Sequence, residues 1–156
     1  MTGLSHVSED GSPRMVDVSG KVSTIRIAVA EGYVRLRHAH VLALDQLPKG
    51  DAVTVAQIAG IQGAKRTSEL IPLCHPIPLT HISVKIEKEE ESLRILAESK
   101  TEDRTGVEME AYTAVVVAAI TLIDMLKGVD PDLEITGVRL LEKTGGKTDW
   151  KRGSAS

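Results

Sequence analysis

The chain has no phenylalanine and no asparagine, and only two tyrosines and one tryptophan among 156 residues. A core of stacked rings is excluded, so Val, Ile, Leu and Ala must fill the interior. Cysteine occurs once, at Cys74. That excludes an internal disulfide framework and fits a reducing compartment. Positive charge is not in excess: 19 Lys and Arg stand against 22 Asp and Glu, a net charge of −3. This balance argues against a nucleic-acid surface. The opening stretch "MTGLSHVSEDGSPR" lacks an apolar signal region. The longest apolar run, Ala114–Ile120, is too short to cross a bilayer. The expectation is a soluble cytoplasmic protein with neither a membrane nor a nucleic acid as partner.

The length suits one domain, and a chain of this size buries roughly 70% of its unfolded surface without a staple. Residues 1–14 read as a flexible N-terminal segment and residues 151–156 as a C-terminal tail, leaving one domain over 15–150. Within it, "STIRIAVAEGYVRL" alternates at Ile25, Ile27 and Val29, which predicts a strand with Gly32 as a bulge. "HVLALDQL" reads as a short helix. Asp51 offers an N-cap for a helical stretch from Ala52 to about Leu70, broken near Gly63. "HISVKIE" and "SLRILAES" flank Glu89-Glu90-Glu91 as a hairpin. A long helix from about Met109 to Lys127 follows, stopped by Gly128, and "LEITGVRLLEK" is the last strand. The order β-α-β-β-α-β predicts an α+β, ferredoxin-like split β-α-β fold: a mainly antiparallel sheet with helices on one face.

Three segments carry chemistry. The first is "IPLCHPIPL", Ile71–Leu79, with three prolines within seven residues. Proline fixes φ, removes a backbone donor and pushes the preceding residue into extended geometry. The segment reads as a rigid loop that presents Leu73, Cys74 and His75 in one pose. A lone Cys beside prolines is more often a small buried apolar group than a nucleophile. Histidine is the side chain whose ordinary charge change falls near neutral pH, and proline holds this one's backbone extended, so His75 is the stronger candidate. The paired His38 and His40 would share a strand face, but no third ligand completes a metal site, so they are expected to face solvent.

The second is the long helix, apolar nearly all round. Its polar residues Glu110, Thr113, Thr121, Asp124 and Lys127 fall within an arc of roughly 120° at about 100° per residue. Asp124 and Lys127 are three apart and face each other. A buried carboxylate beside a lysine would suit acid–base work, whereas a helix-end ion pair is the structural alternative. Glu108 falls outside the stripe and reads as a capping carboxylate. The third is "LLEKTGGKTDWK". Leu141 stands where a P-loop needs glycine, so that motif is rejected, but Lys143 and Lys147 flank a Gly-Gly turn that could hold an anion. Lys49, Lys65 and Arg66 add cations whose convergence would imply a polyanionic ligand.

Taken together, "MVDVSGK" at 15–21, "KGD" at 49–51, "IAGIQGAKRTSELIPLCHPIPL" at 58–79, "TGVEMEA" at 105–111, "IDMLK" at 123–127 and "VRLLEKTGGK" at 138–147 resemble the MoaC family. The likeness is collinear over nearly the whole chain. It implies the ferredoxin-like fold, a homohexamer built as a trimer of dimers, and sites at subunit interfaces. It implies a lyase of molybdenum cofactor biosynthesis that converts 3′,8-cyclo-7,8-dihydro-GTP to a cyclic pyranopterin monophosphate and releases pyrophosphate. No protein-bound metal and no organic cofactor is implied, with room for Mg²⁺ on the triphosphate. By position, the resemblance assigns Leu73, Cys74, His75, Met109, Glu110 and Lys143 to substrate binding, and Glu108 and Lys147 beside them are further candidates for it. The resemblance assigns Asp124, Lys127, Lys49 and His75 to catalysis. The competing expectation is a non-catalytic nucleotide-binding module on the same fold.

Overall fold

The computed structural model describes residues 3–44 and 51–153. The expected ferredoxin-like α+β fold is present. Strand β1 (Thr24–Arg35) leads through helices α1 (His38–Leu42), α2 (Ala52–Lys65) and α3 (Thr67–Leu70) to strand β2 (Leu79–Lys88). Strand β3 (Ser92–Asp103), helix α4 (Glu108–Leu126), strand β4 (Glu134–Thr144) and strand β5 (Trp150–Lys151) complete the chain order. The sheet is antiparallel at every pairing, in the order β2-β3-β1-β4-β5.

The Ile25–Ile27–Val29 alternation that reveals β1 marks the face away from the helices, and Ile25 is exposed. The intervening Ala28, Ala30 and Val34 are fully buried with Leu93, Ile95 and Ala97 of β3. Small residues on that face let α4 approach closely. A Cβ on Gly32 would meet Val115 of α4 at 2.6 Å. The register with β4 slips between Glu31 and Tyr33, which places the expected bulge at Gly32.

Asp51 caps α2 by accepting from the Thr54 backbone N–H at 3.0 Å. The helical stretch breaks at Arg66, not near Gly63. Gly63 stays helical because a Cβ there would lie 2.7 Å from Val117 Cγ2, so its absence lets α2 seat on α4. By length and composition α4 could cross a bilayer, which the shorter run Ala114–Ile120 does not suggest. Here it is the core helix, with Ala111, Ala114, Val115, Ala118, Ala119 and Leu122 fully buried.

Trp150 and Lys151 form β5 against β4: Trp150 pairs with Lys143, and just beyond, the Arg152 N–H donates to the Leu141 carbonyl at 2.8 Å. Near the N-terminus, Val7 and Pro13 form a bridge that closes a turn. His38 and His40 lie on helix α1, not on a strand. His38 is exposed and bonds the Glu90 carbonyl. His40 does not face solvent as expected; it pairs with Asp130 at 2.8 Å. Asp130 is buried and also accepts from the backbone N–H groups of Arg37 and Asp132. Led by the His40 contact, these bonds hold its carboxyl down at about 2.

On the open sheet face, Glu31 is buried beneath two arginines. Arg94 donates to one carboxylate oxygen from Nε at 3.0 Å and Nη2 at 2.8 Å, and Arg139 donates to the other at 2.6 Å. Burial pushes Glu31 up, but the Arg139 and Arg94 bonds outweigh it and keep the carboxyl below its ordinary value.

Candidate functional site

Two loops and the start of α4 converge beside the N-terminal segment. The proline loop is pinned at both ends: the Cys74 N–H donates to the Ile71 carbonyl at 3.1 Å, and the Thr101 hydroxyl donates to the Pro78 carbonyl at 2.6 Å. The start of α4 is fixed by the buried Ser99 hydroxyl, which donates to the Val107 carbonyl at 2.8 Å. Gly106 leaves room for Glu108 to fold back, since a Cβ there would lie 2.1 Å from its Oε2.

Between these elements lies a cavity of about 400 Å³. Its walls bring together Leu73, Cys74, His75, Glu108, Met109, Glu110 and Lys143, seven of the residues expected from sequence. Ser5, His6, Val16 and Lys21 also line it, and none of these was expected. Lys21 lies inside the "MVDVSGK" stretch, but no local pattern marks it as a site residue. Ser5 and His6 fall in a segment read as flexible. Only the fold brings that segment across the proline loop.

The His75 Nε2 lies 2.6 Å from the Val16 carbonyl oxygen. A carbonyl only accepts, so Nε2 carries the proton and Nδ1 is the nitrogen left to bind or take a proton. Glu110 is 4% exposed. Burial, reinforced by the neighbouring Glu108 carboxylate, pushes it up to about 7. Glu108 lies on the cavity side of the first turn and meets Lys143 Nζ at 3.7 Å. Burial and the Glu110 charge push the Cys74 thiol up. It therefore stays a neutral thiol near pH 7, in keeping with a packing or contact role and not with a nucleophile.

The remaining expected residues lie elsewhere. Lys147 lines an adjoining cavity that shares Gly106, Glu108 and Lys143 with the first. Lys65 lines a hollow on the far side of His75 and Glu110. Lys49 falls outside the described residues. Asp124 and Lys127 do pair, at 2.9 Å, but both side chains are 63% exposed, so the expectation of a buried carboxylate is not met. Asp124 sits fourteen residues beyond Glu110 on the same helix, about 21 Å away at 1.5 Å per residue, and Lys127 caps its far end three residues further on. One chain cannot bring both ends of α4 to the same reacting atom. Among the described residues, no group of three or more His, Cys, Asp or Glu is placed to hold a metal ion.

The fold and site together define a ferredoxin-like α+β domain whose cavity sets a buried carboxylic acid against a histidine and lysines, an arrangement suited to a polar anionic ligand. The MoaC family profile matches residues 15–146, and the chain belongs to that family. It is 56% identical over 153 residues to a cyclic pyranopterin monophosphate synthase of Corynebacterium efficiens, covering 96% of this chain and 99% of that one. Proteins of the same name from Streptomyces avermitilis and Cereibacter sphaeroides are 54% and 49% identical. Those matches cover 96% and 99% of this chain, and 89% and 100% of theirs.

Proposed function

We propose that this protein is a cyclic pyranopterin monophosphate synthase of molybdenum cofactor biosynthesis, a lyase acting on 3′,8-cyclo-7,8-dihydro-GTP with release of pyrophosphate. The observation that carries the reading is the single cavity joining Leu73, Cys74, His75, Glu108, Met109, Glu110 and Lys143. Glu110 receives the N–H edge of the guanine-derived ring, since a buried carboxylate accepts paired donors well. Lys143, Lys147 and Lys49 neutralise a triphosphate of about four negative charges. His75 takes or returns a proton through Nδ1. The pinned proline loop meets the ligand without ordering cost. Asp124 and Lys127 supply acid–base catalysis.

The separation along α4 supports a site shared between copies. Exposed Ile120 precedes Asp124 by one turn, and exposed Val129 follows Lys127. An apolar surface around a charged pair suits contact with a second copy, which would bury that pair beside the partner's cavity. The assembly is the homohexamer, a trimer of dimers, and the catalytic domain spans 15–150. No organic cofactor takes part, and any Mg²⁺ arrives on the triphosphate. The protein works in the cytoplasm.

The test is pyrophosphate release from 3′,8-cyclo-7,8-dihydro-GTP by wild type, Lys127→Ala, Glu110→Gln and a reassembled mixture of the two variants. Wild type turns over, each variant alone is inactive, and the mixture regains a fraction of the rate. Loss in both variants with no recovery on mixing removes the shared site. One observation favours a second reading, a nucleotide-binding module without catalysis: an exposed ion pair at a helix end is often only that. Tight nucleotide binding by wild type without product would establish it.

A further inference from the structure

The turn that follows α4 is tied to a distant corner of the fold through one buried carboxylate. Asp130 lies three residues beyond Lys127 and is 1% exposed. A carboxylate at that depth is costly unless its oxygens are paired. Its Oδ2 accepts from the Arg37 backbone N–H at 3.1 Å and from His40 Nδ1 at 2.8 Å. Its Oδ1 accepts from the Asp132 backbone N–H at 3.0 Å. Of these three donors only His40 is a side chain. An ionised carboxylate only accepts, so Nδ1 carries the proton whether the ring is neutral or charged. Asp130, held down at about 2, is ionised throughout the neutral range. The contact is therefore a standing clamp and not a pH switch.

What the clamp holds is the end of α4. The last turn of a helix has carbonyls without intrahelical partners, and it frays where nothing ties it down. Here the Lys127 N–H donates to the Ile123 carbonyl at 2.8 Å. The Val129 and Asp130 N–H groups donate to the Leu126 carbonyl at 2.9 and 3.0 Å. Gly128 gives the turn no packing, since a Cβ there would meet nothing within 4 Å. Pro131 stiffens the step from Asp130 to Asp132. The anchor next to Lys127 is thus the Asp130 carboxylate, which reaches across to α1 and to the corner that leads into it. The side chains of Asp124 and Lys127 are largely exposed, so the backbone that carries them sets where their charges lie.

We propose that His40 is a positioning residue for the Asp124–Lys127 pair: by holding Asp130 it fixes the turn after α4, and with it the placement of Lys127. The inference rests on the synthase reading, which gives that pair its role in catalysis. His40 lines neither of the two adjoining cavities that share Glu108 and Lys143, so it acts through the backbone and not on the ligand.

The test compares the full chain with His40→Ala, His40→Asn, Lys127→Ala, and His40→Ala combined with Lys127→Ala, each checked for folding by thermal denaturation. With 3′,8-cyclo-7,8-dihydro-GTP as substrate, His40→Ala lowers kcat by roughly tenfold and leaves KM within about twofold, because a displaced proton-transfer group slows the step without weakening binding. His40→Asn restores most of the rate, since its amide nitrogen takes the place of Nδ1. In the Lys127→Ala background the His40 substitution lowers the residual rate no further, because the group it positions is gone. Amide hydrogen exchange gives a readout besides turnover. In His40→Ala, exchange at Lys127, Val129 and Asp130 speeds up by roughly tenfold, while Ala111 at the other end of α4 keeps its wild-type rate. Should His40→Ala not fold, Asp130→Asn reads the same contact, with a smaller loss of kcat because the amide still accepts. Wild-type kcat and exchange in the folded variants overturn the proposal and leave the synthase reading standing. An equal loss of rate with and without Lys127 also overturns it, as a general loss of stability. No turnover by wild type removes the synthase reading and the catalytic role with it, but faster exchange confined to the end of α4 still establishes the clamp.

Discussion

The two ends of helix α4 differ in almost every physical respect. At its N-terminal end Glu110 is 4% exposed and protonates near neutral pH, at about 7. At its C-terminal end Asp124 and Lys127 are an ion pair with both side chains 63% exposed. Glu110, Asp124 and Lys127 lie on one stripe, and the sequence presents them as equivalent. Burial separates them. The sheet, the proline loop and the N-terminal segment close over the first turn, whereas at the last turn Leu122 and Leu126 are buried but the side chains of Asp124 and Lys127 stay open to solvent. One helix thus carries a buried end and an exposed one, the contrast on which the proposal of a site shared between two copies rests.

That contrast can be broken most severely at the exposed end. Lys127→Ala should lower turnover by more than roughly a hundredfold, the scale of a lost proton-transfer group, while thermal unfolding stays within about 0.5 kcal/mol of wild type. Near-normal turnover by a folded Lys127→Ala protein would remove the lysine from the mechanism. The buried side of the helix should respond in stability instead. Gly63→Ala places a methyl group against Val117 at 2.7 Å and should cost about 1–3 kcal/mol, read by denaturant unfolding.

The buried end also has a pH signature. Glu110 holds its proton up to about 7 in the folded protein, against an ordinary value of 4.5. Between those values the folded state keeps a proton that the unfolded chain has released. Stability contributed by this group therefore falls as pH rises through 4.5 to 7 and stays low above. Glu110→Gln removes that slope and should be more stable than wild type at pH 8 by about 2 kcal/mol. A wild-type stability curve with the same slope as the variant's would place Glu110 in contact with water after all. The smallest effect is expected at Asp124→Asn. As half of an exposed pair it should change stability by less than about 0.5 kcal/mol, and any larger loss upon assembly would show the pair buried between copies.

Much of this was legible in the residues. Alternation at Ile25, Ile27 and Val29 marks β1, Asp51 marks the start of α2, and Glu89–Glu91 marks the hairpin turn. These signals are local and act within a few residues. The proline loop was legible as a rigid presenter of Leu73, Cys74 and His75 for the same reason: proline restricts its own φ and its neighbour's backbone wherever it stands. Signals that were not local were misread. Gly63 looked like a helix breaker because its partner, Val117, lies 54 residues away in sequence. His40 looked solvent-facing because Asp130 is supplied by the turn before β4.

The sequence by itself determined the strand and helix order, the stiff Cys-His loop, the apolar helix with its polar stripe, and membership of one family. The tertiary structure alone decided which part of that stripe is dry and which is wet. It also decided that Ser5, His6 and Lys21 join the proline loop, and that Arg26 meets Gly146 across 120 residues of chain. The reason is physical. Propensity and periodicity act over one or two turns of chain, but burial, desolvation and the convergence of charges depend on elements brought together by closing long loops.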